Sequence, residues 1–235
     1  MNKLIAIDLD STLAKINNPI ASKTIGLLKK LITKGYHIMI ISGKPTIYLS
    51  GVFRNYQLKN IYLSGENGLE IHYGTTLPPD RYHTFIQNDD KVILELNKLK
   101  NQILKLNGNY FFQNNQYSIT PFFNDLNSKM KLFNFACDIQ TSLKYTSIYG
   151  HTDSIDFTPK HINKGNSLAY LLNELNIDPK DAYAIGDNQN DIPMFKIVKN
   201  SILITNNINN KLDYQTTFVY NNIYNALSAI LQGEI

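Results

Sequence analysis

The sequence contains a single cysteine, Cys137, among its 235 residues. One thiol permits no intrachain disulfide and offers no second sulfur ligand to a metal, so we expect Cys137 to be a small buried residue without redox chemistry. Long hydrophobic runs are also missing. Four apolar residues precede Asp8, which is too few for a signal peptide, and no later run reaches membrane-spanning length. We therefore expect a cytoplasmic protein that makes no membrane contact.

A large excess of one sign of charge is missing too. The formal net charge is +4, and the lysines are scattered rather than gathered into a long basic run, so nucleic-acid binding is not implied. A small anionic substrate is compatible with this charge. The hydrophobic content of 43% over 235 residues is enough for a packed core. We expect a globular monomer or homodimer, with one large domain or a domain that carries an insertion.

Two carboxylates end the first predicted strand. The apolar run from Leu4 to Ile7 is typical of a fully buried strand, and it stops at Asp8 and Asp10. Residues i and i+2 of a strand point to the same side, so both carboxylates can face one small volume, which Ser11 and Thr12 would close. Two such charges need a cation, or one is protonated. The alternative is that Asp10 caps a turn and Asp8 is an edge residue.

Strand and helix patterns then alternate. Near-continuous apolar runs alternate with segments of helical spacing, a rhythm that predicts a doubly wound parallel sheet in an α/β fold. The predicted elements are a helix over 20–34 with Ser22 as N-cap and Gly35 after its end, a strand over 36–41 that stops at Ser42 and Gly43, a helix from Pro45 to about Tyr56, and a strand over 60–63 followed by a hairpin.

The rhythm changes between residues 75 and 157. A linker containing Pro78 and Pro79 leads into a helix, two short aromatic strands, a second helix and two more strands. This pattern predicts a small α+β domain inserted into the larger fold. The parent domain would then comprise residues 1–74 and 158–235.

The parallel pattern returns near Asn163, and a strand over 182–185 ends in a loop that carries Asp187 and Asp191. Because ligands bind at the carboxyl ends of the strands in an open α/β sheet, we expect these residues to converge with the two aspartates of the first strand. A site of carboxylate oxygens favours Mg²⁺, which commonly bridges protein and substrate phosphate. The Ser42 hydroxyl and the Gly43 amide would donate to phosphate oxygens.

Lys164 supports the same interpretation. A lysine in the first turn of a helix adds its charge to the positive end of the helix dipole, so an anion nearby would remove the conflict. The alternative is that Lys164 is an ordinary solvated side chain.

These residues resemble, in order and spacing, the four motifs of the haloacid dehalogenase superfamily of phosphatases. The matching segments are Asp8-Leu9-Asp10-Ser11-Thr12, Ser42-Gly43, Lys164 and Gly186-Asp187-Asn188-Gln189-Asn190-Asp191. The inserted segment lies between the second and third motifs, as in the Cof-type subfamily with its type IIB cap, and Gly65-Glu66-Asn67-Gly68 resembles the loop before that cap. Ser11 stands where the subfamily usually has glycine.

The resemblance implies a role for each motif residue. Asp8 would attack phosphorus and form an aspartyl-phosphate, and Asp10 would protonate the leaving oxygen and then activate water. Ser42, Gly43, Lys164 and Asn190 would bind the phosphoryl group. The magnesium ligands would come from Asp8, Asp10, Asp187 and Asp191, with the backbone carbonyl of Asp10 used and Asp191 in the outer shell or orienting Lys164.

The resemblance further implies that a small phosphorylated metabolite is the substrate and that cap residues select it. The candidates for that selection are Arg81, Lys129, His151 and Asp153. Two alternatives stay open. One is phosphoryl transfer between sugar positions, as in the similar phosphomannomutases, and the other is a phospho-ligand-binding module that kept the fold without catalysis.

Overall fold

The computed structural model describes residues 2–86, 89–206 and 212–235, and the chain forms two compact units. Residues 2–83 and 163–235 form the first unit, and residues 84–162 form the second. The sequence places these boundaries at 75 and 157 instead. The strand over Tyr82–Thr84 accounts for the difference at the first boundary, because it is the last strand of the large sheet and so belongs largely with the first unit.

The first unit contains an eight-stranded sheet and five helices among its described residues. Its strands are β1 (Lys3–Asp8), β2 (Tyr36–Ile41), β3 (Ile61–Gly65), β4 (Glu70–Tyr73), β5 (Tyr82–Thr84), β10 (Ala182–Gly186), β11 (Asn200–Ile204) and β12 (Phe218–Tyr220); its helices are α1 (Ser22–Thr33), α2 (Thr46–Phe53), α5 (Lys164–Glu174), α6 (Ile192–Phe195) and α7 (Ile223–Gln232). The second unit contains β6 (Tyr110–Phe112), β7 (Pro121–Phe123), β8 (Thr146–Gly150), β9 (Ile155–Pro159), α3 (Asp90–Leu104) and α4 (Leu126–Ile139).

The strand order β12-β11-β10-β1-β2-β3-β4-β5 confirms the doubly wound sheet. The pairs from β12 to β3 are parallel, and β4 returns antiparallel to β3. The order reverses at β1, because the next strands of the chain extend the sheet on one side and β10 to β12 extend it on the other. The crevice between β1 and β10 is therefore the switch point at which such sheets bind ligands.

Burial explains why the central strands are almost entirely apolar. Leu4 to Ile7 and Ala182 to Ile185 are at most 3% exposed, since helices cover the sheet. The predicted helices of the first unit are present, but α2 ends at Phe53 and the predicted residues up to Tyr56 form a 3-10 turn. The start of α1 also differs from the prediction. The predicted N-cap at Ser22 is wrong, because Ala21 occupies the N-cap position and no side chain caps this helix. Gly35 follows the helix with φ +89°, as a C′ glycine does.

The second unit is an α+β arrangement. Its hairpins β6-β7 and β8-β9 are joined by antiparallel bridges from Ile119 to Phe157 and from Phe122 to Ser154. Apolar residues of α3 and α4 form one core with Phe123 and Phe157. Cys137 is exposed on α4, so the expectation of a buried cysteine is wrong. The core face of that helix carries Leu132 and Ala136, and the next residue turns about 100° away.

The helices of the described residues include none with both the length and the apolar character needed to cross a membrane.

Candidate active site

The sheet register brings three strand ends together. Asp8 ends β1 and pairs in register with Ile41, the last residue of β2, so Ser42 follows beside it. On the other side Ile7 pairs with Ile185 of β10, and Asp187 directly follows Gly186, the last residue of that strand. The predicted convergence of these strand ends is therefore present at the switch point of the sheet.

Lys164 lies at the start of α5 and is only 1% exposed. Its Nζ lies 2.6 Å from Asp8 Oδ1 and 2.6 Å from Asp191 Oδ1, and it donates a hydrogen bond to each oxygen. A charge at the positive end of a helix dipole is thus compensated by two carboxylates of the chain itself. Burial alone would lower the pKa of Lys164, but Asp191 and Asp8 outweigh burial and raise it, so the ammonium stays charged.

Asp191 organises the loop after β10. Its Oδ2 accepts hydrogen bonds from the backbone N–H groups of Asp187 (2.9 Å) and Asn188 (3.0 Å), while its Oδ1 binds Lys164. Gly186 is required beside it, because a Cβ at that position would lie 2.4 Å from the Asp191 carboxyl carbon. Asp191 therefore uses both carboxylate oxygens to orient Lys164 and the loop after β10.

Three carboxylates form one acidic cluster. Oxygen atoms of Asp8, Asp187 and Asp191 lie within 4.8 Å of one another. Lys164 supplies one positive charge against these three, so the cluster is undercompensated. Burial, together with the charges of Asp191 and Asp187, raises the pKa of Asp8 to about 8 against the opposing effect of Lys164. Burial also raises the pKa of Asp187. A hard divalent cation with oxygen ligands fits this donor set and this charge.

The turn after β1 is held by its backbone and by Thr12. The Thr12 hydroxyl donates to Asp187 Oδ1 at 2.7 Å, which ties the first motif to the fourth. Ser11 has φ +67°, and its N–H donates to Ala14 at 2.7 Å. Asp10 is half-buried beside this turn, and its carboxylate is not part of the acidic cluster. The contribution predicted for its backbone carbonyl stays a prediction.

Ser42 is 2% exposed and is held in place by its neighbours. Its N–H donates to Ser64 O and its carbonyl accepts from Asn67 N, both at 2.9 Å. Its Oγ accepts the N–H of Lys44 at 3.1 Å, so the hydroxyl hydrogen can be directed to another acceptor. Gly43 follows directly in the turn that leads to α2.

The loop over residues 65–68 packs against the turn after β2 and against the start of α5. A Cβ on Gly65 would lie 2.4 Å from Thr46 N, and a Cβ on Gly68, which has φ +99°, would lie 2.5 Å from Asn163 O. Glycine is needed at both positions because backbone approaches so closely. This loop links the turn after β2 to the start of α5.

The sequence matches the haloacid dehalogenase-like hydrolase family over residues 5–87 and 79–228. The chain belongs to this family. A phosphoglycolate phosphatase of Nitrosopumilus maritimus is 24% identical over 207 residues, which cover 87% of this chain and 84% of the relative. A 5-amino-6-(5-phospho-D-ribitylamino)uracil phosphatase of Bacillus subtilis is 25% identical over 264 residues, with 92% of each chain covered.

A solved haloacid dehalogenase-like hydrolase from Bacteroides thetaiotaomicron has the same fold. It has a TM-score of 0.76 at 15% sequence identity, over 98% of this chain and 100% of that one. The protein is thus a haloacid dehalogenase-like phosphatase that acts on phosphoric monoesters of small molecules, as the motif resemblance implies. Phosphatases of this family generally use a divalent metal, and the acidic cluster supplies the matching ligands.

The remaining predicted residues of the phosphatase are more dispersed. Asn190 lies exposed in the turn Gln189–Asp191 that follows β10. Arg81 lies in the first unit, where it pairs with Glu174 at 2.9 Å, rather than in the inserted one. In the second unit, Lys129 lies over the rings of Phe123 and Phe133, His151 contacts Asp156 at 3.1 Å, and the carbonyl of Asp153 accepts from Phe123 N.

Sequence reasoning missed two supports of the site. The Thr46 hydroxyl, at the first position of α2, donates to Glu70 of β4, and both residues are buried. Gly165 lets α5 approach the next helix, because a Cβ there would lie 2.6 Å from Pro193 O. Glu70 of β4 alternates with apolar residues in the sequence, and this pattern was a sign that its carboxylate is buried. The second contact joins segments that are far apart in the sequence, and Gly165 is its only sign there.

Proposed function

We propose that this enzyme is a Mg²⁺-dependent phosphatase that hydrolyses a small phosphorylated metabolite, a sugar phosphate or a phosphoglycolate-like monoester, through an aspartyl-phosphate on Asp8. The observation that carries the proposal is the placement of Asp8. It lies buried at the end of the central strand, in contact with a buried lysine and within 4.8 Å of two further carboxylates. The names of the relatives support the substrate class.

In the first step, a carboxylate oxygen of Asp8 forms a bond to phosphorus and the bond from phosphorus to the ester oxygen breaks. Asp10 donates a proton to that oxygen, so the alcohol leaves neutral. In the second step, Asp10 takes a proton from water as the water oxygen attacks phosphorus. The bond from phosphorus to Asp8 breaks, which releases phosphate and restores the carboxylate.

Four groups would hold the phosphoryl oxygens during both steps. The Ser42 hydroxyl and the Gly43 N–H donate from the turn after β2, Lys164 contributes its charge, and Asn190 offers an amide. The proposed metal ligands are the Asp8 and Asp187 carboxylates and the Asp10 carbonyl, because Asp191 already accepts three hydrogen bonds. When bound, the cation would offset the charge on the transferring phosphoryl group.

Asp8→Asn tests the proposed nucleophile. The amide has nearly the same shape but cannot attack phosphorus, so the variant should fold and turn over a generic ester at less than about a hundredth of the wild-type rate. Asp138→Asn, on the exposed side of α4, is the matched control and should keep wild-type activity. Brief reaction followed by acid quenching should leave a phosphoryl group on the wild-type peptide that contains Asp8.

Two results would contradict the proposal. One is a folded Asp8→Asn variant with more activity than that limit, and the other is a phosphoryl group recovered on a different residue. Release of inorganic phosphate from a panel of sugar phosphates and small phosphorylated acids identifies the substrate. It also separates hydrolysis from transfer to a second sugar hydroxyl, since transfer releases no phosphate.

A further inference from the structure

Glu70 is a buried acid that the proposed phosphoryl-transfer steps do not use. It lies on β4 and is 6% exposed, and its Oε2 accepts a hydrogen bond from the Thr46 hydroxyl. His72 lies two residues further along the strand and therefore faces the same side of the sheet. Its Nε2 lies 3.2 Å from the same Glu70 oxygen. A buried carboxylate is costly unless partners satisfy its oxygens, so these two contacts together keep Glu70 in one orientation.

The ring nitrogens of His72 indicate which group donates to Glu70. His72 is itself 6% exposed, and its Nδ1 has no hydrogen-bond partner among the described residues. In a neutral buried imidazole the hydrogen belongs on the nitrogen that has an acceptor. Nε2 then carries the hydrogen and donates it to Glu70. The ring also lies edge-on to the Tyr82 ring, with 6.3 Å between the centroids.

Thr46 connects Glu70 to the turn after β2 that holds Ser42. Thr46 is the first residue of α2 and is 4% exposed, and Pro45 occupies the N-cap position without a side-chain acceptor. The Pro45 ring fixes its own φ, and the Lys44 N–H donates to Ser42 Oγ at 3.1 Å. The segment from Ser42 to Thr46 is therefore short and stiff, so a shift at Thr46 moves the turn.

Backbone hydrogen bonds hold the other side of the same turn. The carbonyl of Ser42 accepts from Asn67 N and the carbonyl of Lys44 accepts from Glu66 N, both at 2.9 Å. The end of the turn at the start of α2 is held by the side-chain contact with Glu70. The sheet thus fixes the turn at both ends, once through the backbone and once through a buried acid.

We propose that Glu70 is a positioning residue for the phosphoryl-transfer reaction and that His72 holds it in place. Through Thr46, Glu70 sets the direction of the donors on the turn after β2, and with it the affinity of the site for a phosphoryl group. The inference rests on the proposed function, in which Ser42 and Gly43 bind phosphoryl oxygens. Hydrogen bonds weaken steeply as their angles become poorer, so a small rotation of the turn lowers that affinity.

Steady-state kinetics with p-nitrophenyl phosphate in Mg²⁺ test the proposal, with inorganic phosphate as the competing inhibitor. Thr46→Val keeps the shape of the side chain and removes the donor, whereas Glu70→Met keeps the length and removes the acceptor. Each should raise KM and the inhibition constant of phosphate about five- to tenfold, the loss expected for one hydrogen bond. His72→Phe removes only the donor to Glu70 and should raise both constants about threefold. The value of kcat should change less than about twofold, because the turn binds phosphoryl oxygens before and during the reaction alike.

Conservative variants and a control separate positioning from a loss of stability. Thr46→Ser keeps the donor and Glu70→Gln keeps the acceptor, so both constants should stay within about twofold of wild type. Combining Thr46→Val with Glu70→Met should weaken binding no more than either change alone, since each removes the same hydrogen bond. Ser201→Ala removes another buried hydroxyl, which accepts from Thr217 N at 3.0 Å near the start of β11. It should lower stability and leave both constants unchanged.

Ser42→Ala separates a failure of this inference from a failure of the proposed function. It removes a proposed phosphate donor directly and should raise the inhibition constant of phosphate about tenfold. If it changes nothing, the turn does not bind the phosphoryl group, and the proposed role of Ser42 fails together with the inference. If Ser42→Ala weakens phosphate binding but folded Thr46→Val and Glu70→Met bind phosphate like wild type, only the inference is overturned.

Two further results would overturn the inference. One is an equal loss of phosphate affinity in Thr46→Ser and Thr46→Val, because the hydroxyl would then be irrelevant. The other is an equal loss in Ser201→Ala, which would show that reduced stability alone weakens phosphate binding. Thr46→Val and Glu70→Met test the same contact independently, so a variant that fails to fold does not prevent the test.

Discussion

Removal of Lys164 should destabilise the folded enzyme strongly in the absence of metal. The lysine is 1% exposed and lies 2.6 Å from an oxygen of Asp8 and of Asp191. Lys164→Met keeps the length and the apolar stem of the side chain and removes the charge. The Asp191 carboxylate then stays buried without a counter-charge, close to Asp187 and to Asp8, whose raised pKa leaves it largely protonated at pH 7.5.

The size of this effect follows from burial. Breaking a buried ion pair by removing one partner costs about 3–5 kcal/mol, since the remaining charge is desolvated without compensation. The new methionine contributes some apolar burial, which offsets a small part of this cost. We expect the free energy of unfolding to fall by about 3–5 kcal/mol in EDTA, and by less in Mg²⁺, because a cation compensates the same carboxylates.

Urea unfolding at pH 7.5, in EDTA and in Mg²⁺, measures both values. Lys180→Met is the matched control. Lys180 pairs with Asp178 at 3.1 Å, but these side chains are 66% and 50% exposed, so the loss should be at most about 1 kcal/mol. If Lys164→Met loses no more than Lys180→Met in EDTA, the buried lysine does not hold the acidic cluster together and the electrostatic reasoning fails.

Two further predictions concern the same cluster. Exhaustive chelation should stop turnover, and Mg²⁺ or Mn²⁺ should restore it. Ca²⁺ should inhibit the enzyme, because it prefers longer bonds and more ligands. Activity that survives EDTA would mean that the cluster is not a metal site. In EDTA, the unfolding free energy of wild type minus that of Asp8→Asn should fall as pH rises from about 4 to about 8. Burial raises the folded pKa of Asp8 from 3.8 to about 8, so the folded state holds the extra proton in that window. A flat or rising difference between the two unfolding curves would contradict this assignment.

The strand-end residues could be predicted from sequence because parallel strands impose their convergence. Asp8, Ser42 and Asp187 each follow an apolar run, and the carboxyl ends of such strands meet at one edge of the sheet. The first-turn position of Lys164 could also be predicted, because Asn163, an N-cap residue, precedes it and apolar residues at helical spacing follow it. The anion expected near that lysine includes two carboxylates of the chain itself.

Contacts between distant segments left little trace in the sequence. The Thr12 hydroxyl reaches Asp187, and the Thr46 hydroxyl reaches Glu70, yet neither pair has a spacing that marks a contact. Such pairs depend on how loops approach each other after the sheet has formed. The start of α1 shows the converse case, because Ser22 has the chemistry of a cap but the helix begins one residue too early to use it.

Ser11 offers a final test, because the structure explains why glycine is usual at this position in the subfamily that the motifs resemble. Its φ of +67° lies in the left-handed region, which costs a non-glycine residue about 1 kcal/mol. Ser11→Gly should therefore raise the unfolding free energy by about 0.5 kcal/mol after the greater freedom of glycine in the unfolded chain is subtracted. The turn keeps its shape, so kcat/KM should change less than about twofold. Ser22→Gly, at an exposed helical position of α1, is the control and should lower stability by about 0.5 kcal/mol. If both substitutions destabilise the protein equally, the left-handed turn is not strained by serine, and another contact of Ser11 must hold the Asp10 loop.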